Sequence, residues 1–122
     1  MEITYQTDHG ILQIEPDGAL QEKDFENLAT ELEHLQKDQR DLNGLLVLTE
    51  NFPGYEKFTD LLAHGKFVRE YADSVLRVAL CTDSAVGGLL KTFGDTFTSA
   101  EVRKFDYSDK DQAEKWILSQ GG

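Results

Sequence analysis

The chain has 122 residues, of which 39% are hydrophobic; 23 Asp and Glu stand against 12 Lys and Arg, for a formal net charge of −11. That length fits one domain, residues 1–122, with a real core, and the apolar content argues against disorder. So acidic a surface makes nucleic acid and anionic membrane poor partners, since both need clustered Lys and Arg.

In chain order, Ile3 to Thr7 and Ile11 to Ile14 alternate in polarity, and Asp8-His9-Gly10 between them supplies turn chemistry. This predicts an N-terminal β-hairpin. Pro16-Asp17-Gly18 ends the second strand. Phe25, Leu28, Ala29, Leu32 and Leu35 then recur at helical spacing, predicting an amphipathic helix over about Gln21 to Lys37.

Leu45 to Leu48 is an apolar run, and Val75 to Thr82 is another. Each is followed by helical periodicity, the pattern of strands buried on both faces of a parallel sheet. Pro53-Gly54 marks a loop after the first run, and a helix is predicted over about Tyr55 to Tyr71. After the second run, Thr82-Asp83-Ser84 offers a helix N-cap ahead of Val86, Leu89, Leu90 and Phe93. Glu101 to Tyr107 reads as a last strand, and Ser108-Asp109 as the cap of a final helix with Ala113, Trp116 and Ile117 inward. The fold class is therefore α/β: a mixed four- to five-stranded sheet with a hairpin at one side, parallel later strands and about four helices.

Catalytic patterns are sparse. His9, His34 and His64 lack the spacing and cysteine partners of a metal site, so no metal and no cofactor are expected. No serine stands in a G-x-S-x-G elbow. A hydrolase using Ser84 or a carboxylate is the weakest of the readings. Cys81, the single cysteine, lies in an apolar strand and reads as packing. The start Met1-Glu2-Ile3-Thr4-Tyr5 has neither the basic region nor the apolar core of a signal peptide, and no stretch is long enough to span a bilayer. A cytoplasmic protein is expected.

In open α/β sheets, ligands bind outside the carboxyl ends of the parallel strands. Those ends carry Thr49, Phe52 and Tyr55 after one strand and Ser84 after the other, with Phe58 in the helix that follows. They are the candidate ligand- or partner-binding residues. The aromatic rings either line a contact surface or pocket, or tuck into the helix layer. Lys66 and Arg69 make the second helix the most basic part of an acidic chain. Its face is either simply solvated or an interaction surface.

Phe97-Thr98-Ser99-Ala100-Glu101-Val102-Arg103-Lys104-Phe105-Asp106, with Ala113 and Trp116-Ile117, resembles the closing block of the SpoIIAA-like proteins, small bacterial domains of the STAS type related in fold to the CRAL-TRIO lipid-binding domain. Leu45 to Tyr55, with its Phe52-x-Gly54-aromatic step, resembles the central motif of that family. The resemblance implies a bacterial cytosolic location, homodimers, and no enzyme activity or cofactor. It points to a regulatory or protein-interaction domain; the CRAL-TRIO likeness adds the alternative of a carrier or sensor for a small apolar or lipid-like ligand. Anti-sigma-factor antagonists of the STAS type carry a phosphorylated serine in an Asp-Ser-x-Gly turn. The corresponding turn here, Thr49-Glu50-Asn51-Phe52-Pro53-Gly54, has no serine, so that residue is not carried over.

Overall fold

The computed structural model describes residues 2–16, 22–40, 42–51, 76–84, 91 and 101–119. The hairpin forms as expected from β1 (Glu2–Gln6) and β2 (Ile11–Glu15), antiparallel, with Gln6 opposite Ile11 and Glu2 opposite Glu15. The carbonyl of Gln6 accepts the amides of His9 at 3.2 Å and Gly10 at 2.8 Å. Gly10 closes that turn at φ 64°, a left-handed conformation that costs glycine little because it has no Cβ.

Helix α1 (Glu22–Lys37) buries Leu28, Leu32 and Leu35, the stripe its spacing predicts. Each such side chain contributes roughly 1.5–3 kcal/mol by leaving water. The helix ends in a paired turn: Arg40 N–H donates to Leu35 O at 2.9 Å, and Gln39 N–H to Gln36 O at 3.1 Å. Gln39 sits at φ 54° to make it, at the position that glycine usually fills.

Three strands continue the sheet: β3 (Gly44–Leu48), β4 (Arg77–Cys81) and β5 (Glu101–Phe105). The order is β1-β2-β3-β4-β5; β1 runs antiparallel to β2, and every later pair is parallel. A mixed five-stranded sheet is thus the observed form of the predicted fold. Two helices, α1 and α2 (Lys110–Leu118), stand in the described residues. The helix expected over 55–71 lies outside them, as does the one expected after Ser84 except for Lys91, which is helical.

Helix α2 covers one face of the sheet. Its Ala113 and Ile117 join Ile11, Leu46, Ala79 and Cys81 in one core cluster, flanked by Leu48, Phe105 and Trp116. On the other face the register aligns Leu12, Leu45 and Val78, then Ile14, Val47 and Leu80, all buried. Burial on both faces explains why β3 and β4 are apolar runs rather than alternating ones. Leu28, Leu32 and Leu35 of α1 are buried outside the α2 cluster.

Two details differ from the sequence reading. Strand β5 stops at Phe105, and Tyr107–Asp109 form a 3-10 turn instead of its end. Asp109 does hold the position before α2, yet its side chain makes no capping bond. Its backbone (φ −99°, ψ 33°) is not the extended conformation from which a capping side chain reaches back, and its own N–H already donates to Asp106 O at 2.9 Å.

Two contacts seat α2 at the amino ends of the strands. At Gly44 a Cβ would lie 2.5 Å from Arg77 O and 2.8 Å from Ile117 Cγ2, so only glycine lets helix and strand approach this closely. Arg77 then holds the last turn of the helix. Its Nη1 donates to Trp116 O and, at 2.7 Å, to Ser119 Oγ; the guanidinium lies 5.0 Å from the Trp116 ring centroid, and Nη2 is 3.8 Å from Glu101 Oε1. A cation there also meets the negative end of the helix dipole.

Beyond the reach of α2, the sheet carries one polar pair. Gln6 Nε2 donates to Gln13 Oε1 at 2.9 Å, and Gln13 is only 8% exposed. Among the described residues, Gln6 Oε1 is a buried acceptor with no partner.

Candidate functional site

The carboxyl ends of β3, β4 and β5 lie side by side, because the three strands are parallel neighbours in register. Past the last ladder residues, hydroxyls and backbone amides continue the cross-links. Thr49 N–H donates to Cys81 O at 3.0 Å, and Thr82 N–H to Phe105 O at 3.0 Å. The carbonyl of Glu50 accepts twice, from Asp83 N–H at 3.0 Å and from Thr82 Oγ1 at 3.2 Å. Thr82 Oγ1 in turn accepts Ser84 N–H at 3.2 Å. Asp83 Oδ1 accepts Tyr107 N–H at 3.1 Å, tying the 3-10 turn to the end of β4.

Thr49 and Ser84, both predicted site residues, therefore stand on neighbouring strand ends, Thr49 bonded to Cys81 O and Ser84 to the Thr82 hydroxyl. The roles of their side chains differ from those of reactive groups. Thr49 is buried, and its hydroxyl donates to Asn51 O at 3.0 Å. Thr82 is 1% exposed and its proton also points at a backbone carbonyl. A nucleophilic hydroxyl needs its proton directed at a base. These two protons are directed at amide oxygens. Ser84 is half-buried, with its N–H in the turn made by Thr82.

Cys81, the last residue of β4, is fully buried. Burial pushes its thiol up from 9.0 to about 12; the carboxylates of Asp109 and Glu114 add to the rise, and Lys110 opposes it. At neutral pH it is a protonated, enclosed thiol, which is the unreactive form.

What faces solvent here is a rim of Glu50, Asn51, Asp83, Asp106 and Tyr107. Tyr107 is 38% exposed, an aromatic ring on a turn held by Asp83. Sequence reasoning placed it at the end of a strand; its position after the last parallel strand was the signal that could have marked it. Phe52, Tyr55, Phe58, Lys66 and Arg69 lie outside the described residues. Among the described residues, no group of three or more His, Cys, Asp and Glu could hold a metal, and no helix is long and apolar enough to cross a membrane.

The resemblance implies a four- or five-stranded sheet with helices, which is the form observed, and a model of the SpoIIAA-like family matches residues 11–118. The chain belongs to the SpoIIAA-like family. The match begins at Ile11, where β2 starts, and ends at Leu118, where α2 ends, so it takes in four of the five strands and both described helices. No curated protein and no solved structure matches the chain.

Proposed function

We propose that this SpoIIAA-like chain is a STAS-type regulatory domain of a bacterial cytosol that works through protein contacts, with the carboxyl-end rim as its contact surface. Family membership supports the class. The observation that carries the surface is the engagement of the strand-end hydroxyls: Thr49 and Thr82 are spent on backbone carbonyls, whereas Glu50 and Tyr107 are exposed, the turn of Tyr107 being tied down by the Asp83 carboxylate. A rigid base with an exposed aromatic ring is what a contact surface needs, because aromatic anchors dominate interface energetics.

Capture from the native host tests this, with the wild-type chain and Tyr107→Ala as paired baits. A partner held by the wild type and lost with the variant supports the reading. Equal capture by both removes the rim from it. Native mass spectrometry of the wild type adds a second arm: an apolar molecule released only on denaturation would favour the carrier reading, and would direct attention to Phe52, Tyr55 and Phe58.

A further inference from the structure

The outer strand β5 leaves part of its backbone unused. In its parallel pairing with β4, Glu101 N–H donates to Leu76 O and Phe105 O accepts Thr82 N–H, so Glu101, Arg103 and Phe105 turn their backbone groups inward. By alternation Val102 and Lys104 turn theirs outward, to a side where no strand pairs with β5 among the described residues. Two donors and two acceptors in a row at a sheet edge are a template for an extended chain.

The side chains select the chemistry of that chain. Arg103 and Lys104 are exposed, and among the described residues neither pairs with a carboxylate, in a chain with 23 Asp and Glu. The ion pair made by this strand is Glu101 with Arg77, at 3.8 Å. The Arg103 guanidinium lies over the Phe105 ring, 5.0 Å from its centroid. An arginine held with its flat face on a ring keeps its N–H edges for a carboxylate. Successive residues of a strand point to opposite faces, so one cation stands on each face of the sheet. Val102 and Phe105, on either side of the two cations, are half-buried and leave some apolar surface open.

We propose that β5 is a docking edge for an extended acidic segment of a partner protein, which adds to the sheet as a further strand. Opposite Phe105, Lys104, Arg103 and Val102 the segment reads apolar-acid-acid-apolar, a pattern that is the same in either chain direction. Lysine on an outer strand turns away strands like its own, and a second β5 added antiparallel about its centre would set Arg103 against Arg103. A carboxylate opposite each cation reverses that sign. The negative charge of the rest of the chain is spread over its surface and screened beyond about 10 Å at 0.1 M salt, whereas the paired groups lie in contact. The inference does not rest on the Tyr107 rim, because loss of that ring leaves the outward groups of Val102 and Lys104 in place.

The test is amide hydrogen exchange of the full chain, read residue by residue by NMR, with a capped peptide of threonines around a central Val-Glu-Glu-Val as the probe. In the free chain the amides of Val102 and Lys104 are expected to exchange at least about tenfold faster than that of Arg103, which is bonded to β4. Saturating peptide is expected to slow both by a similar factor and to leave Arg103 as it was. Replacing both glutamates of the peptide by glutamine is expected to weaken binding about tenfold, and Lys104→Glu to weaken the glutamate peptide at least as much. A glutamate peptide N-methylated on the amides that face β5 keeps its charge but cannot pair, so it is expected not to bind; this arm holds even if Lys104→Glu fails to fold. Slow exchange at Val102 and Lys104 in the free chain, equal binding of the glutamate and glutamine peptides, binding indifferent to N-methylation, or no binding at millimolar peptide would each overturn the proposal.

Discussion

The two ends of the parallel strands are closed by different chemistry. At the amino ends, one arginine and one glycine do the work: Arg77 grips the last turn of α2, and Gly44 lets Ile117 approach the backbone. At the carboxyl ends, no single residue dominates. Thr49, Thr82, Asp83 and the Glu50 carbonyl share a mesh of bonds near 3 Å, all between neutral groups except the one from Tyr107 N–H to the Asp83 carboxylate. A closure that depends on one or two contacts fails when either is lost. A distributed mesh loses one link at a time, so it suits a surface whose outer residues are free to vary.

Substitutions at each end break or sharpen this contrast. Gly44→Ala should have the largest effect, because its methyl meets a backbone oxygen that cannot swing aside as well as Ile117. Overpacking of this kind costs about 3 kcal/mol, read as a lower urea midpoint at constant slope. Arg77→Ala removes the bonds to Trp116 O and Ser119 Oγ together with the stacking on Trp116, and should cost about 2 kcal/mol. Arg77→Lys should recover only part of it, since an ammonium has no planar fork.

The third effect depends on pH. The Cys81 thiol is raised from 9.0 to about 12 by burial. Below pH 9 both folded and unfolded chains keep the proton, so the stability is whole. Between pH 9 and 12 the unfolded chain sheds it first, and stability falls by up to about 1.4 kcal/mol per pH unit. Lysines and tyrosines titrate in the same range, so the measurement is the difference in slope between wild type and Cys81→Ala; identical slopes would refute it. Thr82→Val should be the mildest, about 1 kcal/mol for two long bonds, one to a Glu50 carbonyl that keeps Asp83 N–H and one from Ser84 N–H, with Tyr107 still exposed. If Thr82→Val proved as damaging as Arg77→Ala, the mesh would not be distributed.

The parts legible in the sequence were those fixed by local pattern. The buried strands announced themselves as the runs Leu45 to Leu48 and Val75 to Thr82, the second forming over Arg77–Cys81, and α1 as a stripe ending at Leu35. The hairpin turn was legible because Gly10 supplies the one left-handed position it needs. Gly44 and Arg77 were invisible, since their importance comes from a helix 40 to 70 residues further along the chain. The end of β5 was misjudged for a related reason: Tyr107 continues the strand's composition, yet its N–H donates to Asp83, 24 residues earlier, and the chain closes a 3-10 turn there through Asp109 N–H and Asp106 O. For the candidate site, the rule about carboxyl ends pointed to Thr49 and Ser84, and both stand at the ends of neighbouring strands, but nothing local told that the Thr49 hydroxyl would be occupied by a carbonyl two residues on.

The glutamine pair on the hairpin has one more consequence. Strand β2 offers Ile11, Leu12 and Ile14 to both sides, so hydrophobicity alone barely distinguishes the correct alignment with β1 from a slipped one. Gln13, hydrogen-bonded to Gln6 in just one alignment, acts as a key in a lock: a shift by one residue would carry its amide to the opposite face, among Leu45 and Val47, with no partner. The uncompensated Gln6 oxygen shows that this pair is poor as a source of stability. Its contribution is to make the wrong hairpins worse.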